Sequence, residues 1–135
     1  MDRIFLDANV LFSAAYRANA GLTRLWTADV ELLTSRYAIE EARLNLAEEI
    51  QRDRLEKLLR NVRVVAELTS APLPQDIDLP EKDRPILLAA MAAKASHLVT
   101  GDKQDFGRHF GKRLGGVLVL PPSEYLNRAA GRNKS

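Results

Sequence analysis

Four acidic residues, Asp7, Glu41, Asp83 and Asp102, are spaced so that a fold could gather their carboxylates at one place. Asp7 ends the apolar run Ile4-Phe5-Leu6, and Asp102 ends Leu98-Val99-Thr100-Gly101. Glu41 follows Ser35, the close of a second apolar run, by six residues, and Asp83 opens an alanine-rich stretch. Carboxylates held together repel unless a cation or protons lie between them, so a divalent-metal site is the leading explanation. Zinc fits poorly, because there is no cysteine and the only histidines, His97 and His109, are not spaced as a ligand pair. Oxygen ligands suit Mg2+ or Mn2+, which in a carboxylate site activate water and neutralise a phosphodiester in transit.

Each acid also has a local explanation. Asp7 could cap a helix starting near Val10, as could Asn9. Asp102 could cap a short helix around 104–110. Asp83 is a good N-cap for a helix with Pro85 in its first turn and Ile86, Leu87, Ala90 and Met91 as the buried stripe. Glu40 and Glu41 are adjacent on a helix, and only one can face inward; the residues alone leave that choice open.

Positioning these acids requires strands and helices in alternation, and the chain supplies them. Strands are expected at residues 3–6, 31–34, 62–67, 97–100 and 116–120, where short apolar runs rich in Val, Ile and Leu match strands covered on both faces. Helices are expected at 10–17, 21–28, 37–60 with a break near 47–51, 83–95 and 123–130. Alternation of this kind predicts a parallel sheet flanked by helices, whose right-handed crossovers bring strand C-termini to one edge. Ligand crevices in such sheets open where the strand order reverses. If the first and fourth strands are neighbours there, Asp7 and Asp102 face each other. The stretch 69–81 holds three prolines and is expected to be an ordered surface loop.

The 135 residues suffice for one domain with one core, expected over 1–130 and followed by a basic tail at 131–135. With 46% apolar and 28% charged residues the chain has a globular, not a disordered, composition. Absence of cysteine excludes disulfides and fits a cytoplasmic location. A strand beginning by the third or fourth residue is expected to leave no room for a signal peptide, and no apolar stretch reaches the roughly 20 residues that cross a bilayer. A net charge of +2 does not by itself indicate nucleic-acid binding. Its distribution is more informative: Lys103, Arg108, Lys112 and Arg113, interleaved with Phe106 and Phe110, follow Asp102 directly. Such a segment could grip a phosphate backbone. Equally, both phenylalanines could pack inward and leave the cations solvated. There is no GxxxxGK[ST], GxGxxG or GxSxG pattern, which removes phosphate-loop and serine-hydrolase readings.

Taken in order, these residues resemble the motifs of PIN-domain nucleases. Phe5-Leu6-Asp7-Ala8-Asn9-Val10-Leu11 is similar to their opening motif, in which an Asp at the end of strand one is followed two residues later by Asn or a hydroxyl residue. Ser35 to Glu41 resembles the second motif, and favours Glu41 over Glu40; Asp83 and the run Leu98 to Asp102 resemble the third and fourth. The likeness spans about residues 3–120. It implies a three-layer α/β/α fold with a central, mainly parallel five-stranded sheet, and Mg2+- or Mn2+-dependent cleavage of RNA. It implies metal ligation by Asp7, Glu41, Asp83 and Asp102, with Asp105 as an extra acid and Asn9 and Thr100 as polar supports. The basic segment itself, not the resemblance, offers Lys103, Arg108, Lys112 and Arg113 as candidate RNA contacts. Many small bacterial members are VapC-like toxins held inactive by an antitoxin and often dimeric, so an antitoxin partner and a homodimer are expected, and a membrane is not.

Other readings fare worse. A haloacid-dehalogenase-like phosphatase needs an Asp two residues after the nucleophile, where this chain has Asn9. A receiver domain needs a phosphorylatable Asp after strand three, where Glu67-Leu68-Thr69 stands. A PIN-like fold that only binds protein or RNA is the alternative from another class; losing one acid would be enough for it, and all four are present here.

Overall fold

A computed structural model describes residues 1–66, 73 and 77–133. Strand β1 (Asp2–Leu6) leads into α1 (Ala8–Tyr16), and a 3-10 turn at Gly21–Thr27 into β2 (Val30–Ser35). Helices α2 (Arg36–Asn45) and α3 (Glu49–Leu59) precede β3 (Arg63–Val65). A 3-10 turn at Glu81–Asp83 starts α4 (Arg84–Ala92), followed by β4 (His97–Val99), α5 (Lys103–Phe106) and a 3-10 turn at Gly107–His109. The chain ends with β5 (Arg113–Leu114), β6 (Val117–Leu120) and α6 (Pro122–Asn133).

These strands form one sheet in the order β3-β2-β1-β4-β6-β5, flanked by helices. Every pairing is parallel except β5–β6. The predicted mixed α/β fold with a mainly parallel sheet is therefore present, with a sixth strand. That strand, β5, is only two residues long, too short to leave a hydrophobic pattern. It pairs with β6 around Gly115-Gly116, whose φ angles of +57° and +87° meet the demand of a tight hairpin for positive φ at both central positions. A Cβ added at Gly115 would also meet the end of the Met91 side chain.

Burial explains the composition of the strands. Ile4, Phe5, Leu6, Leu33, Leu98, Val99, Val119 and Leu120 are all fully buried, as expected of strands covered on both faces. The edge strand β3 departs from this: Arg63 and Val64 are exposed, and the strand is shorter than the expected 62–67, whose last residue lies outside the described ones. Of the 69–81 loop, only Leu73 and residues 77–81 are described; residues 134 and 135 of the tail lie outside, and α6 runs through Asn133.

The helices begin and end for local reasons. Asp7 caps α1 from an extended conformation, its Oδ1 accepting from the Ala8 amide at 2.7 Å, so α1 starts two residues earlier than periodicity suggests. The break inside 37–60 falls at Leu46–Glu48, where the Gln51 side chain accepts from the Glu48 amide at 3.1 Å. No basic residue serves the last turn of α1; instead Arg54 of α3 donates to the carbonyls of Ala15 and Tyr16, both at 2.9 Å. That pairing fixes α3 against α1. Among the described residues, no helix is long and apolar enough to cross a membrane.

Candidate active site

The strand order reverses between β1 and β4, since the chain runs outward from β1 through β2 and β3 and returns to place β4 on the other side of β1. Asp7 immediately follows β1 and Thr100 to Asp102 follow β4. The Asp7 amide donates to the Val99 carbonyl at 3.1 Å, so the two strand ends are tied side by side. A cleft of about 520 Å³ opens there. Its walls carry Asp7, Glu41, Asp83 and Asp102, together with Asn9, Asn45 and Lys82. The four sequence-selected acids thus converge at the topological switch point.

Thr100 organises the β1–β4 side. Its fully buried hydroxyl donates to Asp7 Oδ2 at 2.8 Å and accepts from the Asp102 amide at 3.1 Å and from Asn9 Nδ2 at 3.2 Å. One donor and two acceptor lone pairs are all engaged. Asn9 closes the network: Nδ2 also donates to Asp7 Oδ2 at 3.2 Å, and Oδ1 accepts from the Gly101 amide at 2.7 Å. Glycine at 101 permits this approach, because an added Cβ would meet Asn9 Oδ1 at 3.3 Å. Asp102 is oriented in turn by the Asp105 amide, 3.0 Å from its Oδ1, and so caps α5 as well as lining the cleft. Capping and lining coexist at Asp7 for the same reason: a carboxylate has two oxygens, and at Asp7 one serves the helix.

Asp83 behaves differently from the expected cap. Its backbone is already helical, as the last residue of a 3-10 turn, and its side chain makes no capping hydrogen bond; side-chain capping requires an extended residue. The carboxylate is instead buried facing Asp105, and its Oδ2 accepts no hydrogen bond. Asp83, Asp102 and Asp105 each offer an oxygen within 4.8 Å of the others. A buried carboxylate oxygen lacking a donor, among close oxygen ligands, is what a hard divalent cation would satisfy. The residues therefore fit a metal.

Electrostatics follow from this crowding. Burial pushes the Asp83 carboxyl up to about 7, and the adjacent Asp105 adds to the rise while Lys82 opposes it. Asp105 moves down, chiefly because the Lys82 ammonium bonds to it. Asp7 is raised by burial, against the lowering effect of its Thr100 and Ala8 hydrogen bonds, with Glu41 and Asp102 adding smaller repulsions. The Tyr37 hydroxyl is raised too, first by burial and then by Glu41 and Asp83.

The adjacent glutamates part company in space. Glu40 bonds Arg43 at 2.6 Å, whereas Glu41 lines the cleft with Asp7. Helical geometry separates neighbours by about 100°, so one position decides which acid meets the cleft.

The basic segment is mixed. Phe106 is fully buried in the core and Phe110 is half-buried against it. Arg108 is paired with Asp78 at 2.7 Å, and the buried His109 places Nε2 3.0 Å from the Asp78 carbonyl oxygen; together they hold the segment leading to Lys82 and Asp83. Lys103, Lys112 and Arg113 are exposed and do not line the cleft. His97 starts β4 and lies edge-on to Tyr125.

Lys82 was not among the sequence candidates. Its Nζ lies 2.7 Å from Asp105 Oδ2 and 3.5 Å from Asp83 Oδ2. The available signal was its place beside Asp83, but a lysine in a charged stretch has no pattern that separates it from a solvated one.

No curated protein matches the chain. A family model for the PIN domain matches residues 3–104, about three quarters of the sequence and all four cleft acids, and the chain belongs to the PIN domain family.

Proposed function

We propose that this protein is a Mg2+- or Mn2+-dependent ribonuclease that hydrolyses RNA phosphodiester bonds, acting as the toxin of a toxin–antitoxin pair. The observation that carries the nuclease reading is the convergence of Asp7, Glu41, Asp83 and Asp102 on one cleft, with a buried Asp83 oxygen that lacks a hydrogen-bond donor. Family membership supports it, since PIN domains are generally nucleases that use divalent metal.

In this reading Asp83 and Asp102 hold the metal with Asp105, and Asp7 and Glu41 complete the acidic wall. A bound divalent cation would supply an activated water and neutralise charge on the phosphate. Water adds to phosphorus, one P–O ester bond breaks, and the leaving oxygen takes up a proton. The protein's part is to keep its oxygens fixed. Thr100 and Asn9 hold Asp7, and the Asp105 amide holds Asp102, so little reorganisation is needed when the ion and substrate arrive. Lys103, Lys112 and Arg113 are proposed to contact the RNA outside the cleft. Arg108 would do so only by leaving Asp78.

The toxin role rests on the resemblance of the motifs to VapC-like members. It predicts an antitoxin that co-purifies when expressed from the same operon, and a dimer in solution. Exposed apolar side chains on successive helices, Tyr16, Leu44 and Ile50, are where such partners would be sought.

The test is incubation with structured and single-stranded RNAs in Mg2+, Mn2+ or chelator, beside a folded Asp7→Asn/Asp102→Asn variant. Metal-dependent cleavage that the variant lacks supports the nuclease. A wild type that binds no divalent cation would remove it and leave a PIN fold serving as a binding module.

A further inference from the structure

The cleft is lined by four acids and by one cation, Lys82, among its described lining residues. An RNA phosphate entering it meets repulsion from every charged neighbour except this ammonium. Yet Lys82 is turned toward the acids, bonded to Asp105 Oδ2 at 2.7 Å and close to Asp83 Oδ2 at 3.5 Å. It stands between two of the three carboxylates whose oxygens lie within 4.8 Å.

We propose that Lys82 is a tethered counter-ion that a divalent metal exchanges out of the Asp83–Asp105 pair, and that the displaced ammonium then meets the phosphate of the RNA. This rests on the metal-dependent reading above.

The argument is one of space and charge. An ion held by both Asp83 and Asp105 would sit in direct contact with an oxygen of each. That is the region the Lys82 ammonium now occupies, so the two cannot share both carboxylates at close range. Repulsion between a divalent ion and an ammonium a few ångströms apart favours departure of the more weakly held one. Lys82 can leave without moving the backbone. Its carbonyl is held by the Tyr37 hydroxyl at 2.9 Å, and the next amide, that of Asp83, donates to the Pro80 carbonyl at 3.0 Å. The side chain is 62% exposed, so its four torsions turn in solvent. With the main chain anchored and the stem exposed, the ammonium can leave the acids by side-chain rotation alone.

The exchange makes metal affinity depend on Lys82 in an unusual direction, because removing a residue beside the site should tighten it. Calorimetric titration of Mn2+ into wild type, Lys82→Met and Lys82→Arg at one ionic strength measures this without any turnover. Breaking a partly exposed ion pair opposes metal binding by a small factor, so Lys82→Met is expected to bind Mn2+ about two- to five-fold more tightly. Lys82→Arg keeps the competing charge and should stay near wild type. With metal saturating, Lys82→Met should raise KM for RNA more than it lowers kcat, since a phosphate contact is lost. Unchanged or weaker Mn2+ affinity in Lys82→Met, with wild type binding normally, overturns the exchange. Tighter affinity with unchanged KM overturns the phosphate contact. If wild type takes up no divalent ion, the metal-dependent reading falls and this inference falls with it.

Discussion

Replacing Asp83 by asparagine should make the metal-free protein more stable while weakening its hold on metal. An Asp carboxyl ordinarily titrates near 3.8, whereas that of Asp83 is pushed up to about 7 by burial and by the neighbouring Asp105. The unfolded chain therefore ionises this group at a lower pH than the folded one does. Its contribution to stability is full below about pH 4, declines as pH rises to about 7, and is lost above that. Taken in full, the difference would be ~4 kcal/mol. The cleft is open to solvent, so screening reduces the expected gain to about 1–2 kcal/mol. In a domain of this size that is a rise in Tm of about 4–8 °C. The assay is thermal unfolding of wild type and Asp83→Asn in chelator from pH 5 to 8. The variant should already be higher at pH 5, because the unfolded carboxyl ionises near 3.8, and the gap should widen up to about pH 7 and then level off. Added Mn2+ should reverse the order at pH 8, because only the wild type offers the full ligand set. A variant less stable than wild type at pH 8 in chelator would refute the reasoning, since it would mean that the carboxylate is well satisfied without metal.

Thr100→Val should cost about 1–3 kcal/mol in urea unfolding, because it leaves Asp7 Oδ2 with one donor fewer and strips the Asp102 amide of its acceptor; it should also weaken Mn2+ binding in calorimetry. Phe106→Ala should cost about 3–5 kcal/mol of stability, as expected of a fully buried aromatic; a loss of RNA affinity without loss of stability would return Phe106 to the role of a stacking residue. Charge reversal at the exposed Lys112 and Arg113 should weaken RNA binding and lower the salt slope by roughly one to two, read from filter binding across a salt series. Unchanged binding there would exclude that face from the RNA path.

Much of the architecture follows from local pattern alone. Short continuous apolar runs such as Ile4 to Leu6 and Leu98 to Val99, set between helical patterns, read as strands buried on both faces, and alternation with helices makes their sheet parallel. From there the placement of Asp7 and Asp102 at one edge is a consequence of the parallel pairing, since parallel strands end on the same side. Two-residue β5 was not legible, because its pairing is specified by the Gly115-Gly116 turn rather than by a hydrophobic period.

Within the candidate site, the identity of the acids was legible in chain order, and their individual surroundings were not. Residue type announced that Asp83 is acidic; only packing buried it beside Asp105 and left one oxygen without a donor. The choice between Glu40 and Glu41 depended on how α2 is rotated against α1, and that rotation is set by contacts between elements. Lys82 belongs to the same class. Its sequence neighbours make it an ordinary surface lysine, while the fold brings Asp105, 23 positions later, to its ammonium. Periodicity and turn chemistry act over a few residues and are written in the sequence; charge pairing acts across space between residues distant in the chain, and exists only once the sheet has joined them.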